Sequence, residues 1–225
     1  MKKLFITIIF VIGSFSSPVC AKALYVINFN QPPSKNAIQW LKENGFELKK
    51  SATNLKPKFD KGGLVLESQD KEFGIILKKN LRINNAKKVR ITWGVDLYPI
   101  GANWEKGNNR EAISVMIFFG NEKISSGKVY APDLPYFIGI FPGANEKEGK
   151  AYIAKTYKKG GRYFCSPCEK KKGQEFLTEF ELEKNFQKLF NKNITPFVSA
   201  ISIEVDTTDT EGKSRAYIKK IEFLQ

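Results

Sequence analysis

The chain has 225 residues, with 37 Lys and Arg against 23 Asp and Glu, three Cys and no His, for a net charge of +14. That length supports one real hydrophobic core. The missing histidine excludes a Ser-His-Asp or Cys-His catalytic unit, a His-ligated metal and a His-based pH switch. Only Arg82, Arg90, Arg110, Arg162 and Arg215 are arginines; bidentate readers of base and phosphate favour Arg over Lys, so the charge by itself makes no case for nucleic acid.

Residues 1–23 read as a signal peptide. Lys2 and Lys3 precede an apolar run from Leu4 to Ile12 that is too short to span a bilayer, and Val19-Cys20-Ala21 and Ala21-Lys22-Ala23 both satisfy the small-residue rule for cleavage. Ser17-Pro18-Val19 ahead of Cys20 fits lipidation badly. The mature chain, residues 24–225, is expected to be a single domain in the periplasm or secreted from a bacterium. It loses Lys2, Lys3 and Lys22 with the leader, and no later segment reaches 18 apolar residues, so no transmembrane segment is expected. The remaining cysteines, Cys165 and Cys168, form a C-x-x-C that pairs in an oxidising compartment. Lys158 to Arg162 before it and Glu169 to Gly173 after it read as turn, not as the helix start that would activate a thiol. Position 169 is Glu where haem attachment needs His, and a second Cys or His pair for zinc is missing; no cofactor is expected.

In chain order, Leu24 to Phe29 is a short strand. Ser34 is placed to cap a helix through Ala37, Trp40 and Leu41 that closes at Gly45. Leu64 to Leu66 and Phe73 to Leu77 follow as strands. Val89 to Tyr98 alternates, with Val89, Ile91, Trp93, Val95 and Leu97 on one face and Arg90, Thr92, Gly94, Asp96 and Tyr98 on the other. Ala112 to Phe119 is continuously apolar, as a strand covered on both faces must be. Tyr136 to Phe141, Ala151 to Tyr157 and Phe176 to Phe180 are further strands, and Leu182, Phe186 and Leu189 recur at helical spacing. Val198 to Val205 and Arg215 to Phe223 close the chain, the last with a phase slip at Lys219-Lys220 that marks a bulge. About nine strands and two short helices predict a mainly β fold, a β-sandwich or jelly roll.

Several of these features resemble a family of exported bacterial proteins known only as a domain of unknown function. They are Trp93-x-Val95 in a long strand, an Arg110-containing strand ending at Phe119-Gly120, Pro196 before an apolar strand, the loop Asp206-Thr207-Thr208-Asp209-Thr210, and a last strand starting at Ala216-Tyr217. Ile91 and Gly94 stand where that family has Trp and Arg, Asn108 and Asn109 replace acidic residues, and Lys219-Lys220 replaces Gly-Asp, so no acidic site is carried over.

The candidate binding surface combines Arg90, Asp96 and Tyr98 with Glu204 and Asp206, provided their two strands share a sheet. Trp104, in a Gly- and Asn-rich loop, is either an exposed stacking platform or a plug. Asp206 and Asp209 are the weak candidates for a metal, against a turn held by Asx and Thr hydrogen bonds. The absence of His and the two-Cys mature chain favour a non-catalytic protein that binds an envelope or extracellular glycan. Net charge favours an anionic polysaccharide. An envelope assembly protein docking a protein or lipid partner, and a carboxylate-based glycoside hydrolase, are the alternatives.

Overall fold

The computed structural model describes residues 22–169 and 172–225. The signal peptide expected over residues 1–23 lies outside the described residues up to position 21. The chain opens with β1 (Ala23–Asn28). Asn36, not Ser34, caps α1 (Ala37–Glu43), its side chain accepting from the Gln39 amide, and Gly45 follows in the left-handed conformation that glycine adopts without strain. There follow β2 (Phe46–Lys50), β3 (Lys58–Asp60), β4 (Gly63–Ser68), β5 (Phe73–Lys78), β6 (Lys88–Leu97), β7 (Glu111–Ile124), β8 (Leu134–Phe141), β9 (Ala151–Tyr152), β10 (Gly161–Cys165) and β11 (Glu175–Glu181). α2 (Leu182–Phe190), β12 (Val198–Asp206) and β13 (Ser214–Leu224) complete the described chain.

These strands form two sheets packed as a β-sandwich, the mainly β fold with two short helices that the sequence predicts. The first has the order β11-β6-β13-β4-β3, with β1 also on β13; the second runs β2-β5-β12-β7-β8-β10-β9. Val89, Ile91, Trp93 and Val95 from the first sheet share one core with Ile113, Val115, Ile201 and Ile203 from the second, all without measurable exposure. Burying an aliphatic side chain of this kind stabilises by about 1.5–3 kcal/mol.

Two tryptophans belong to that core. Trp40 meets Phe59 edge-on with ring centres 5.4 Å apart and packs on Phe29 and Phe46. Trp93 donates its indole N–H to Thr178 Oγ1 at 3.0 Å, so its polar edge is satisfied inside the core. The phase slip in β13 is a bulge between Ile218 and Lys220, and there the strand changes partner from β4 to β1. One extra residue turns Ile221 and Phe223 back into the core that Ala216 and Ile218 face.

Four strands depart from the sequence reading. β2 and β3 each carry too few apolar residues to show a period. β9 ends at Tyr152 instead of Tyr157. Part of the segment taken as turn is β10, which pairs in parallel with β8, Phe164 opposite Ile140. A partner distant in sequence supplies that strand's hydrogen bonds, so no local signal announces it.

Candidate functional site

β6 and β12 lie in different sheets, so the two halves of the expected surface separate. Arg90 and Asp96 sit on the outer face of the first sheet in ion pairs. Arg90 meets Glu179 at 2.9 Å, and Asp96 meets Lys61 at 2.8 Å and Arg215 at 3.1 Å. The outer face of the second sheet carries Glu204 and Asp206. It faces the other way because the sandwich turns the two sheets' outer faces apart.

On that second face lies a cleft of about 560 Å³. Asp206 is paired in register with Glu111 across β12 and β7, and Glu204 with Ser114. From β10, Tyr163 reaches over Gly139 of β8. A Cβ at Gly139 would stand 2.8 Å from the Tyr163 ring and 2.6 Å from Met116 Sδ, so glycine is required for both side chains to pack there and for Tyr163 to line the cleft. Phe73, Trp104, Tyr130, Arg110 and Lys155 complete the walls and rim. Tyr130 stands out from its loop, 81% exposed.

The loop before β7 inserts Trp104. Asn103 accepts from the Lys106 amide, Gly107 takes a left-handed φ of 78°, and a one-turn helix, Trp104–Lys106, forms between them. Trp104 is 5% exposed and stacks on Phe141 with ring centres 4.9 Å apart; Tyr163 lies at 4.6 Å. Of the two roles open to it from sequence, it plugs. Its backbone N–H donates to Glu146 Oε1 at 3.0 Å, but its indole N–H, buried, has no partner. Glu111 Oε2 and the Tyr98 hydroxyl are in the same condition.

Enclosure dominates the electrostatics. Burial, reinforced by Asp206, pushes the Glu204 carboxyl up to about 7 against a Ser202 hydrogen bond that lowers it. Glu111, buried and facing the charges of Asp206 and Glu204, is raised well above the usual carboxylate range, and burial raises the Tyr163 phenol. Arg110 supplies the counter-charge: its Nε lies 3.3 Å from Asp206 Oδ1, and it also pairs with Asp209.

A guanidinium therefore occupies the carboxylates proposed for a metal. Among the described residues no group of three or more His, Cys, Asp or Glu is arranged to hold a metal ion. The loop is a hydrogen-bonded turn. Asp206 Oδ1 accepts from the Thr208 amide and hydroxyl, Thr210 Oγ1 donates to Thr207 O, and Asn108 Nδ2 ties the turn to the Trp104 loop through Asp209 O at 2.8 Å. Cys165 and Cys168, Cα atoms 5.3 Å apart, form a disulfide at the end of β10. The Ser166 and Gly143 amides donate to Phe141 O and Pro167 O, so this small loop pins the end of β8 behind Trp104.

Of the residues singled out from sequence, Trp104, Glu204, Asp206 and Asp209 share the cleft, and Tyr98 lines a smaller cavity beside it. Sequence reasoning missed Tyr163 and Tyr130, and took Glu111 only as one of the carboxylates that could pair with Asp96 for glycoside hydrolysis. Only Glu111 left a signal, as a lone acid at the head of an otherwise apolar buried strand.

No protein-family model matches the chain, and no curated protein matches it either. Among solved structures the chain is similar to a family 29 carbohydrate-binding module from Piromyces equi. The likeness has 12% identity, covers 80% of this chain and 81% of that one, and has a TM-score of 0.35. It is also similar to a family 28 module described as specific for non-crystalline cellulose, at 11% identity over 81% and 88% of the two chains and a TM-score of 0.37. What the cleft can do is decided by its own residues.

Proposed function

We propose that this is an exported, non-catalytic glycan-binding protein whose binding site is the cleft on the second sheet. One observation carries the reading: the Trp104 indole N–H and Glu111 Oε2 are buried without partners, and both side chains line a cleft walled by aromatic rings. Leaving a buried donor or acceptor unmade costs about 1–3 kcal/mol each, which a ligand offering both kinds of group recovers. A sugar ring offers hydroxyls that both give and take hydrogen bonds, and a C–H face that packs on aromatic surface such as exposed Tyr130. The anionic preference expected from net charge is not carried by the floor, where Glu111, Glu204 and Asp206 stand against Arg110, with lysines at the rim. A neutral sugar fits better.

Affinity electrophoresis through soluble polysaccharides tests this. Retardation by neutral polymers, weakened about tenfold or more in Tyr130→Ala and Glu204→Ala, is expected. Free migration of the wild type through every neutral and anionic polymer refutes it.

A second reading, glycoside hydrolysis, has one observation in its favour. Glu204, its carboxyl pushed up to about 7 by burial, shares the cleft with Glu111, and a carboxyl that holds its proton near neutral pH beside a second carboxyl is the equipment for that reaction. Release of reducing ends by wild type, lost in Glu204→Gln, would replace the binding reading with this one.

A further inference from the structure

Beside the cleft is a second cavity of about 150 Å³, and Arg110 and Glu111 line both. Its walls are about half apolar, with Pro99, Ala112, Phe141 and Ala144 among them, and half polar, with Arg110, Glu111 and Glu146. Two of its lining side chains carry buried polar atoms without a partner: the Tyr98 hydroxyl and Glu111 Oε2. Tyr98 is 9% exposed and Glu111 7%. Native structures seldom leave two such groups unmet on one small cavity, and where they do a ligand or water completes them.

We infer that this cavity is a side pocket for the acetamido group of a 2-acetamido sugar whose ring lies in the neighbouring cleft. The inference rests on the glycan reading above and names the sugar class. An acetamido group is planar, with one N–H donor, one C=O acceptor and one methyl. A phenol and a carboxyl can each give or take a hydrogen bond, so Tyr98 and Glu111 together meet the donor and the acceptor. The methyl packs on the Phe141 ring and the alanine and proline walls. The volume, enough for several waters, holds the four heavy atoms of the group. Glu111 lines both spaces and so places the pocket where a substituent leaves a ring lying in the cleft. A plain hydroxyl at the same ring position is too short to meet both groups and offers no methyl to the apolar walls.

The test is calorimetric titration of the mature chain with chitotetraose and cellotetraose, which differ at the acetamido position. Chitotetraose is expected to bind at least about tenfold more tightly, and Tyr98→Phe to reduce that preference about tenfold. The variant removes only a hydroxyl that no protein group partners, so an unchanged thermal midpoint shows that the fold is kept. Equal affinities, or a preference unchanged in Tyr98→Phe, overturn the inference and leave the pocket to water. Binding of cellotetraose alone overturns it while the glycan reading stands. Binding of neither overturns it as well, and the electrophoresis through other polymers then decides the glycan reading separately.

Discussion

The absence of histidine makes one prediction unusually clean. The Glu204 carboxyl, ordinarily near 4.5, is pushed up to about 7 by burial. A carboxyl whose pKa is raised on folding binds its proton more tightly in the native state. It therefore costs nothing below the unfolded value, and its cost grows as pH rises from about 4.5 to about 7 and is complete above that. At about 1.4 kcal/mol per tenfold change in proton affinity, the ionised form costs the native state about 3 kcal/mol, as a ceiling that water entering the cleft reduces. Glu111, raised for the same reason, contributes with the same sign. The chain has no histidine to titrate in that window and obscure the trend. Urea unfolding of the wild type at pH 5 and pH 8 is expected to show stability falling by about 2–3 kcal/mol. In Glu204→Gln the fall shrinks, and at pH 8 the variant exceeds the wild type. A wild type whose stability holds or rises between these pH values, or a variant that keeps the full slope, refutes the claim that burial governs this carboxyl.

Trp104→Ala removes a ring that packs on Phe141, Tyr152 and Tyr163 and should cost about 3–5 kcal/mol in denaturant unfolding. Trp104→Phe keeps most of that packing, so glycan affinity should fall more than stability does; the reverse order would make the indole N–H irrelevant to ligand. Gly139→Ala forces a Cβ against Met116 and Tyr163 and should lose about 1–3 kcal/mol, with reduced affinity because Tyr163 is displaced from the cleft. Lys22 O accepts from the Gln225 amide and Ala23 pairs with Leu224, so a chain made to start at Lys22 should be more stable in urea unfolding than one made to start at Leu24; equal stabilities contradict this.

The strands that alternate or run apolar over eight or more residues were legible, because a strand's faces repeat every second residue and the pattern is written locally. β6, β7, β12 and the bulge at Lys219 all show it. Short β2 and β3 lack enough residues for a period, and β10 depends on pairing with β8. The candidate site was half legible. Glu204 and Asp206 were found as the polar face of β12, but their companions were sought on β6, which turned out to belong to the other sheet.

By itself the sequence determined the class of fold, the inward face of β6 that carries Trp93 and the absence of histidine chemistry. These follow from periodicity and residue type within a few positions of one another. The tertiary structure alone decided which outer face holds the cleft, that Trp104 plugs it, that Arg110 takes up the acids proposed for a metal, and that Tyr98 and Glu111 meet at one small cavity. Each of these depends on which strand pairs with which across long sequence separations, and side-chain alternation records a strand's faces without recording its neighbours.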